Sequence, residues 1–161
     1  MGQDDTKHNL LFISKYPEII HEFTDAMKDR DIEIETAING IEAAAKIKKK
    51  NYDIVITGLS LEGYNGEQII TYLNKTAPST VCIIYTTTIS SAQLHFFINE
   101  RNVFRVFLRP VDFRGAFWEA LEEAYEYHAV QVKNEEDTGA RRQEQEKQER
   151  EIEIMDQRMR S

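Results

Sequence analysis

The sequence predicts an α/β domain in which helices cover both faces of a doubly wound parallel sheet. Five short apolar runs of strand length alternate with segments whose apolar residues recur at helical spacing. Strands separated by helices pair in parallel through right-handed crossovers. The second run alternates apolar and polar residues, as an edge strand does, whereas the third is continuously apolar, as a strand covered on both faces is. We therefore predict a three-layer αβα sandwich with strand order 2-1-3-4-5.

The first three predicted strands lie within the first 60 residues. They are residues 10–13, 32–36 and 54–56. Pro17 fits the first turn of the helix after strand one, where its missing N–H costs nothing. Asn39 and Gly40 open the helix after strand two, and we expect one apolar face of that helix to be buried. That face contains Ile41, Ala44, Ala45 and Ile47.

The remaining strands and helices complete the alternating pattern. Strands four and five are predicted at residues 81–85 and 104–108. Ser90 is predicted to cap the helix between them, and Asp112 to be the N-cap of a long last helix. The third helix carries the apolar residues Ile69, Ile70 and Leu73, and the fourth contains Leu94, Phe97 and Ile98. In the fifth helix Phe113, Phe117, Leu121 and Ala124 are expected to face inward.

Composition changes at the end of the chain. We predict one compact domain over residues 8–130 and a charged helical tail over residues 134–161, with a break at residues 135–139. The tail contains no aromatic residue, and Glu, Gln and Arg dominate it. Ile152, Met155 and Met159 recur at coiled-coil spacing, but two heptads are too few to distinguish a coiled coil from a solvated helix. A linker to a further domain is a third interpretation of the tail.

Charge and hydropathy argue against two broad classes of function. The formal net charge is −8, which argues against nucleic acid as a partner because a surface that binds phosphates is basic. No apolar run approaches the roughly 20 residues of a membrane helix, and residues 1–8 lack the apolar centre of a signal peptide. We therefore expect a cytoplasmic protein with no membrane contact. The single cysteine, Cys82, lies in an apolar run and is expected to be a buried, unreactive thiol.

Three segments at the ends of predicted strands are similar to motifs of one known family. They are ISKYPE at 13–18, YDIVITGLSLEGYNG at 52–66, and IIYTT at 83–87 together with FLRP at 107–110. Over residues 8–130 the chain resembles the receiver domains of bacterial two-component response regulators. The resemblance implies a flavodoxin-like fold. In such a sheet the site lies at the carboxyl ends of strands one and three, where the winding of the chain reverses.

The resemblance also implies a role for each matching position. In the family, two acidic residues after strand one and an aspartate after strand three hold Mg²⁺, and that aspartate accepts a phosphoryl group. A hydroxyl residue after strand four and a lysine after strand five contact the phosphate. In this chain the acidic pair falls on Ser14 and Lys15, the phosphoacceptor on Gly58, the hydroxyl on Thr86, and the lysine on Arg109, which Pro110 follows.

These departures from the family pattern remove the chemistry of phosphorylation. Mg²⁺ requires oxygen ligands, usually carboxylates, whereas Ser14 offers a neutral hydroxyl and Lys15 a positive charge. Gly58 has no side chain that could act as a nucleophile. Asp53 begins strand three, roughly 17 Å from the site by strand rise, and is a poor substitute. We therefore expect that Mg²⁺ binding is lost, that the protein uses no cofactor and that it is not an enzyme.

Two cations should meet at this site, because Lys15 and Arg109 follow strands that end at the same edge of the sheet. Facing cations are unfavourable without a counter-charge. Three arrangements stay open at this point. The carboxylate of Glu62 pairs with one cation, a bound anion lies between the cations, or both side chains turn to solvent.

The leading functional interpretation is a pseudo-receiver, a module of a two-component or phosphorelay pathway that works through protein partners. The resemblance implies that partners bind to the surface of helix four, strand five and helix five. That surface would include His95, Phe96, Arg105 and Trp118. A homodimer is left open. A second interpretation is a sensor of an anion or small ligand in the crevice of Lys15, Thr86 and Arg109, and a third is a conventional phosphorylated receiver.

Overall fold

A computed structural model of the protein describes residues 8–160. The chain divides into two compact units, with the boundary between His128 and Ala129. Residues 1–7, for which the sequence predicts no signal peptide, and Ser161 lie outside the described part of the chain. Among the helices described, none is both long and apolar enough to span a membrane.

Within residues 8–160, parallel strands alternate with helices as the sequence predicts. The strands are β1 (His8–Ile13), β2 (Ile32–Ala37), β3 (Ile54–Thr57), β4 (Val81–Thr86) and β5 (Val103–Leu108). The helices are α1 (Pro17–Met27), α2 (Gly40–Lys49), α3 (Gly66–Thr76), α4 (Ser91–Glu100) and α5 (Ala116–Arg160). All neighbouring strands pair in parallel, and the strand order is β2-β1-β3-β4-β5. The predicted doubly wound αβα fold is confirmed.

Alternate residues of each central strand point to opposite faces of the sheet and build two hydrophobic cores. On one face Phe12 of β1 stacks on Phe23 of α1 with ring centroids 4.2 Å apart. Phe117 of α5 belongs to the same cluster. On the other face Leu11 of β1 belongs to a cluster with residues of α2, α3 and α4. The helices α1 and α5 therefore cover one face of the sheet, and α2, α3 and α4 cover the other.

The helix α2 buries a different face from the one that the sequence predicts. Its buried residues are Gly40, Ala43 and Ile47, whereas Ile41 and Ala45 are exposed. The cause is a tertiary contact, because a Cβ added to Gly40 would lie only 1.8 Å from the carbonyl oxygen of Tyr64. This close approach keeps Gly40 inward and leaves Ile41 at the surface. The predicted capping of α2 is correct, since the Asn39 side chain accepts a hydrogen bond from a backbone N–H of the first turn.

The last helix begins later and runs further without interruption than the sequence predicts. Asp112 is not its N-cap, because its carboxylate accepts a hydrogen bond from the backbone N–H of Arg114 in a turn before Ala116, where α5 begins. The predicted break at residues 135–139 is also wrong, because α5 runs through these residues. Gly139 costs a helix only about 1 kcal/mol relative to alanine, which the surrounding helix formers offset. The division of the chain into residues 8–130 and 134–161 stays a prediction.

The second unit of the chain is the remainder of α5. Ile152 and Met155, two of the apolar positions in the predicted coiled-coil pattern, are exposed. The side chain of Met159, the third position, lies outside the described part of the chain. The coiled coil therefore stays a prediction.

A hydrogen-bonded cluster around Asp53 joins several elements at the amino-terminal edge of the sheet. The Asp53 carboxylate accepts a hydrogen bond from the backbone N–H of Asn9 at 3.2 Å, and it lies 3.1 Å from Nε2 of His128 and 3.7 Å from Nδ1 of His8. The Tyr125 hydroxyl donates to the carbonyl oxygen of Asn9 at 3.0 Å. Burial raises the pKa of Asp53, but the hydrogen bonds from His128 and Asn9 outweigh burial, so the pKa lies below its usual value. Asp53 thus lies at the opposite end of β3 from the predicted site.

Candidate functional site

The carboxyl ends of β1, β3, β4 and β5 border a small cleft of about 130 Å³. Parallel strands end at one edge of the sheet, so residues that are distant in sequence meet here. The cleft is lined by the predicted positions Ser14, Lys15, Gly58, Thr86 and Arg109, and also by Tyr16, Ser60 and Tyr85. Pro110 is exposed and follows Arg109 through a cis peptide bond.

The backbone at Gly58 has room for a side chain. A Cβ added there would lie 3.7 Å from the carbonyl oxygen of Tyr85 and 4.0 Å from that of Ile13, which are ordinary van der Waals distances. Gly58 does not have a positive φ. Neither packing nor backbone conformation therefore requires glycine at the position that matches the phosphoacceptor.

The two hydroxyl groups that match family positions already have partners in the backbone. Ser14 is buried, and its Oγ accepts a hydrogen bond from the backbone N–H of Tyr16 at 3.2 Å. Thr86 is half-buried, and its hydroxyl donates to the carbonyl oxygen of Thr88 at 3.3 Å. These bonds shape the ends of β1 and β4.

The cations Lys15 and Arg109 both lie against the ring of Tyr16. The Lys15 Nζ is 5.4 Å from the ring centroid, and the guanidinium carbon of Arg109 is 4.7 Å from it. Lys15 also donates a hydrogen bond to Ser60 Oγ at 3.2 Å. Each cation–π contact at such a site contributes about 0.5–1 kcal/mol, which partly offsets the repulsion between the cations. Arg109 also lies 6.0 Å from the Tyr85 ring, and burial raises the pKa of Tyr85 although Arg109 opposes that shift.

Sequence reasoning missed the two tyrosines of the cleft and one of its hydroxyl residues, Ser60. The only signal for Tyr16 and Tyr85 is their position, since each is adjacent in sequence to a residue that matches the family pattern, Lys15 and Thr86 respectively. Ser60 lies two residues after Gly58 and had no distinguishing feature.

The carboxylate of Glu62 forms no ion pair with either cation among the described residues. Its side chain is exposed, and its backbone carbonyl oxygen accepts a hydrogen bond from the N–H of Gly40 at 2.9 Å. None of the lining residues of the cleft is acidic. Within residues 8–160 there is also no cluster of three or more His, Cys, Asp or Glu side chains that could hold a metal ion. The side chains that line the cleft therefore do not suit Mg²⁺, which usually takes carboxylate ligands.

Comparison with protein families agrees with the geometry of this edge of the sheet. The sequence model of the response regulator receiver domain matches residues 11–116, well over half of the chain. The chain belongs to this family. Receiver domains are generally non-enzymatic signalling modules that work through protein partners. Comparison with curated protein sequences gives no significant match.

Solved structures of receiver domains share the fold at low sequence identity. A signal receiver domain of an HD domain-containing protein from Pseudomonas fluorescens Pf-5 is 19% identical with a TM-score of 0.72, over 77% of this chain and 98% of that one. A CheY-like receiver domain protein from Methanospirillum hungatei JF-1 is 18% identical with a TM-score of 0.70, over 78% and 99%. The response regulator TrrA from Thermotoga maritima, solved in complex with Mg²⁺ and BeF, is 21% identical with a TM-score of 0.62, over 73% and 98%.

The receiver domain does not gather its four predicted contact residues on one surface. His95 is exposed on α4, and Arg105 of β5 forms an ion pair with Glu123 of α5. Phe96 instead packs under the guanidinium group of Arg101 at 4.6 Å and lines a cavity beside the first turn of α3. Trp118 lies on the side of α1, because the guanidinium carbon of Arg30 is 4.3 Å from its ring. Adjacent helix residues differ in direction by about 100°, and burial of Phe117 turns Trp118 toward α1.

The helix α4 of the receiver domain exposes two of its large aliphatic residues. Phe97 alone is fully buried in α4, while Leu94 and Ile98 are 40% and 39% exposed. Leu108 of β5 is exposed as well. The helix α4 therefore contacts the sheet through a narrow stripe, and Leu94 and Ile98 lie at the surface.

Proposed function

We propose that this receiver domain is a pseudo-receiver, which takes part in two-component or phosphorelay signalling through protein contacts and is not phosphorylated. The observation that carries the proposal is Gly58 at the acceptor position, in a backbone conformation that has room for a side chain. The missing carboxylate is therefore a chemical difference from the family pattern and has no packing cause.

The charge of the cleft supports the same proposal. Lys15 replaces a metal-binding carboxylate with a cation, and it lies with Arg109 against the same Tyr16 ring. Two positive charges repel a divalent metal, and no acidic residue lines the cleft to compensate. We therefore also propose that Mg²⁺ does not bind here, so the charge stabilisation that phosphoryl transfer requires is absent.

We expect that restoring the missing carboxylates restores phosphorylation. Wild-type protein incubated with acetyl phosphate and Mg²⁺ should gain no phosphoryl group, whereas a variant carrying S14D, K15D and G58D should gain one, as read by intact mass. A side chain at position 58 has room, and aspartate at position 14 can still accept the hydrogen bond from the Tyr16 N–H.

The matched control carries S14D and K15D with G58A. It has the metal-binding carboxylates and the same backbone change at position 58, but it lacks an acceptor and should gain no phosphoryl group. A phosphoryl gain by the wild-type protein, mapped to any aspartate or glutamate, would contradict the proposal and favour a conventional receiver.

For protein partners we propose the surface of α4, β5 and α5. The exposed apolar residues Leu94, Ile98 and Leu108 support this choice, because contiguous exposed aliphatic side chains commonly mark protein contacts. His95 and Arg105 belong to the same elements and would lie at its polar rim.

A second candidate function is an anion sensor, and the pair of cations at the cleft favours it. Lys15 and Arg109 border a cleft that contains no carboxylate, and the hydroxyl groups of Ser60 and Thr86 lie in the same cleft. An anion with several oxygen atoms, such as phosphate, would complement these groups through charge-assisted hydrogen bonds.

We expect phosphate or sulfate to raise the melting temperature if this second function is correct. An anion at ten times its Kd would stabilise the fold by about 1.4 kcal/mol. The shift should disappear in Lys15→Ala and persist in Lys75→Ala, which removes an exposed lysine of α3. An equal shift in both variants at constant ionic strength would indicate unspecific screening and reject the sensor.

A further inference from the structure

A second surface of the domain, separate from the cleft, is apolar and exposed. It is formed by α2, α3 and residues 62–64 of the loop between β3 and α3, and we call it the α2–α3 face. Ile41 and Tyr64 are exposed there, and Ile41 exposes 62% of its surface. Beside them lies a groove of about 270 Å³. The groove is lined by Ala44 and Lys48 of α2, by Gln68, Ile69 and Tyr72 of α3, and by Tyr64.

The part of this face that projects furthest contains Ile41, and backbone contacts hold it in place. The N–H of Gly40 donates to the carbonyl oxygen of Glu62 at 2.9 Å. A Cβ added to Gly63 would lie 2.6 Å from Cγ1 of Ile41, so the Ile41 side chain packs directly on the loop. The first turn of α2 and the loop therefore form one platform. The Ile41 side chain is already packed on the loop, which lowers the entropic cost of a contact.

The two ends of the α2–α3 face carry opposite charges. Glu62 and Glu67 are exposed at the end where α2 and α3 begin, and Glu42 lies in the first turn of α2. Lys48, Lys49 and Lys75 are exposed at the end where the helices finish. Each sign complements the dipole of the helix that carries it. The apolar projection lies at the acidic end, and Lys48 lines the groove toward the basic end.

A partner that complements this face must present a groove opposite the projection and a basic end opposite the acidic end. The same face of a second copy, rotated by 180° about an axis perpendicular to the helices, has this arrangement. Rotation brings the acidic end of each copy to the basic end of the other and sets the Ile41 projection against the groove of the other copy. A contact with the helices parallel would instead place like charges together, which is unfavourable.

We propose that the α2–α3 face is the contact surface of a two-fold symmetric homodimer, in which the helices of the two copies run antiparallel. The contact is isologous, so each copy contributes the Ile41 projection and the groove once. It leaves the cleft and the surface of α4, β5 and α5 outside the interface.

Sedimentation velocity of the full-length chain over a wide concentration range tests the proposal. Wild-type protein should show a concentration-dependent dimer, and Ile41→Glu should abolish it. Two variants with the same kind of change at other exposed isoleucines are the controls: Ile98→Glu on α4 and Ile152→Glu in the second unit should both remain dimeric. Circular dichroism of each variant shows whether its fold is retained.

A charge exchange tests the electrostatic complementarity of the contact independently of Ile41. A copy with K48E and K49E has two acidic ends, and a copy with E62K and E67K has two basic ends, so each alone should be monomeric. Mixing them should produce a heterodimer, because the ends are then complementary. Recovery in the mixture also excludes misfolding as the reason for the monomers.

Three results would overturn the proposal. They are a wild-type protein that stays monomeric at all concentrations, a dimer that survives Ile41→Glu, and a mixture of the two charge variants that stays monomeric. A dimer that is lost only in Ile98→Glu or Ile152→Glu would assign the contact to α4 or to the second unit instead.

Discussion

Alanine at Gly66 is expected to destabilise the domain by about 3 kcal/mol, whereas alanine at Gly58 is expected to change its stability by less than about 1 kcal/mol. A Cβ at Gly66 would lie 2.2 Å from the carbonyl oxygen of Gly58 and 3.0 Å from the α-carbon of Leu59. Both are backbone atoms and cannot turn aside as the end of a side chain can. The N–H of Gly66 also donates to the carbonyl oxygen of Leu59 at 3.0 Å, so a shift that relieves the clash stretches this bond.

The two glycines form a matched pair, because they lie close to each other and only one of them is required by packing. Urea denaturation of Gly66→Ala, Gly58→Ala and the wild-type protein measures the difference directly. Equal losses of stability would contradict the assignment of Gly58 as a position free to carry a side chain. Equal losses would also make G58D a poor test of phosphorylation. The urea denaturation of the glycine variants should therefore be measured before the phosphorylation experiment.

Asp53→Ala is expected to destabilise the domain by about 1–3 kcal/mol at neutral pH and by less in acid. The substitution leaves the N–H of Asn9 without its carboxylate acceptor and removes the partner of Nε2 of His128. Nδ1 of His128 faces the carbonyl oxygen of Ser79 at 2.9 Å, so this histidine joins the start of β3 to the segment before β4. The contact also secures α5 to the sheet, because His128 belongs to that helix.

The direction of the pH effect follows from the pKa of Asp53. Because the pKa is lower in the folded protein than in the unfolded chain, the ionised carboxylate stabilises the fold. This contribution is fully present above the ordinary carboxyl pKa of about 4 and is lost as the pH falls through the lower folded value. The stability difference between the wild-type protein and Asp53→Ala should therefore shrink below about pH 4.

Denaturation midpoints at neutral and acidic pH, measured for the wild-type protein and Asp53→Ala, test this expectation. Asp29→Ala is the control because it removes an exposed carboxylate, and its effect should be small at every pH. A stability difference for Asp53→Ala that stays constant from neutral pH to acid would show that packing, and not the charge of Asp53, accounts for the loss.

The amino-acid sequence was sufficient to predict the fold and those groups of the cleft that match the family pattern. Strand and helix periods differ, and the alternation of the two implies parallel pairing and the observed strand order. Parallel strands end at one edge, so Ser14, Lys15, Gly58, Thr86 and Arg109 could be placed together before any contact was known. The absence of a carboxylate from these positions is also a property of the sequence alone.

The direction in which individual side chains face depends instead on tertiary contacts. Ile41 is exposed because Gly40 must lie against the backbone of Tyr64, and a helical period does not reveal that contact. Trp118 faces Arg30, and Tyr16 lies against both cations of the cleft, for the same kind of reason. Local periodicity determines which residues share a face, but contacts between segments distant in sequence determine what that face meets.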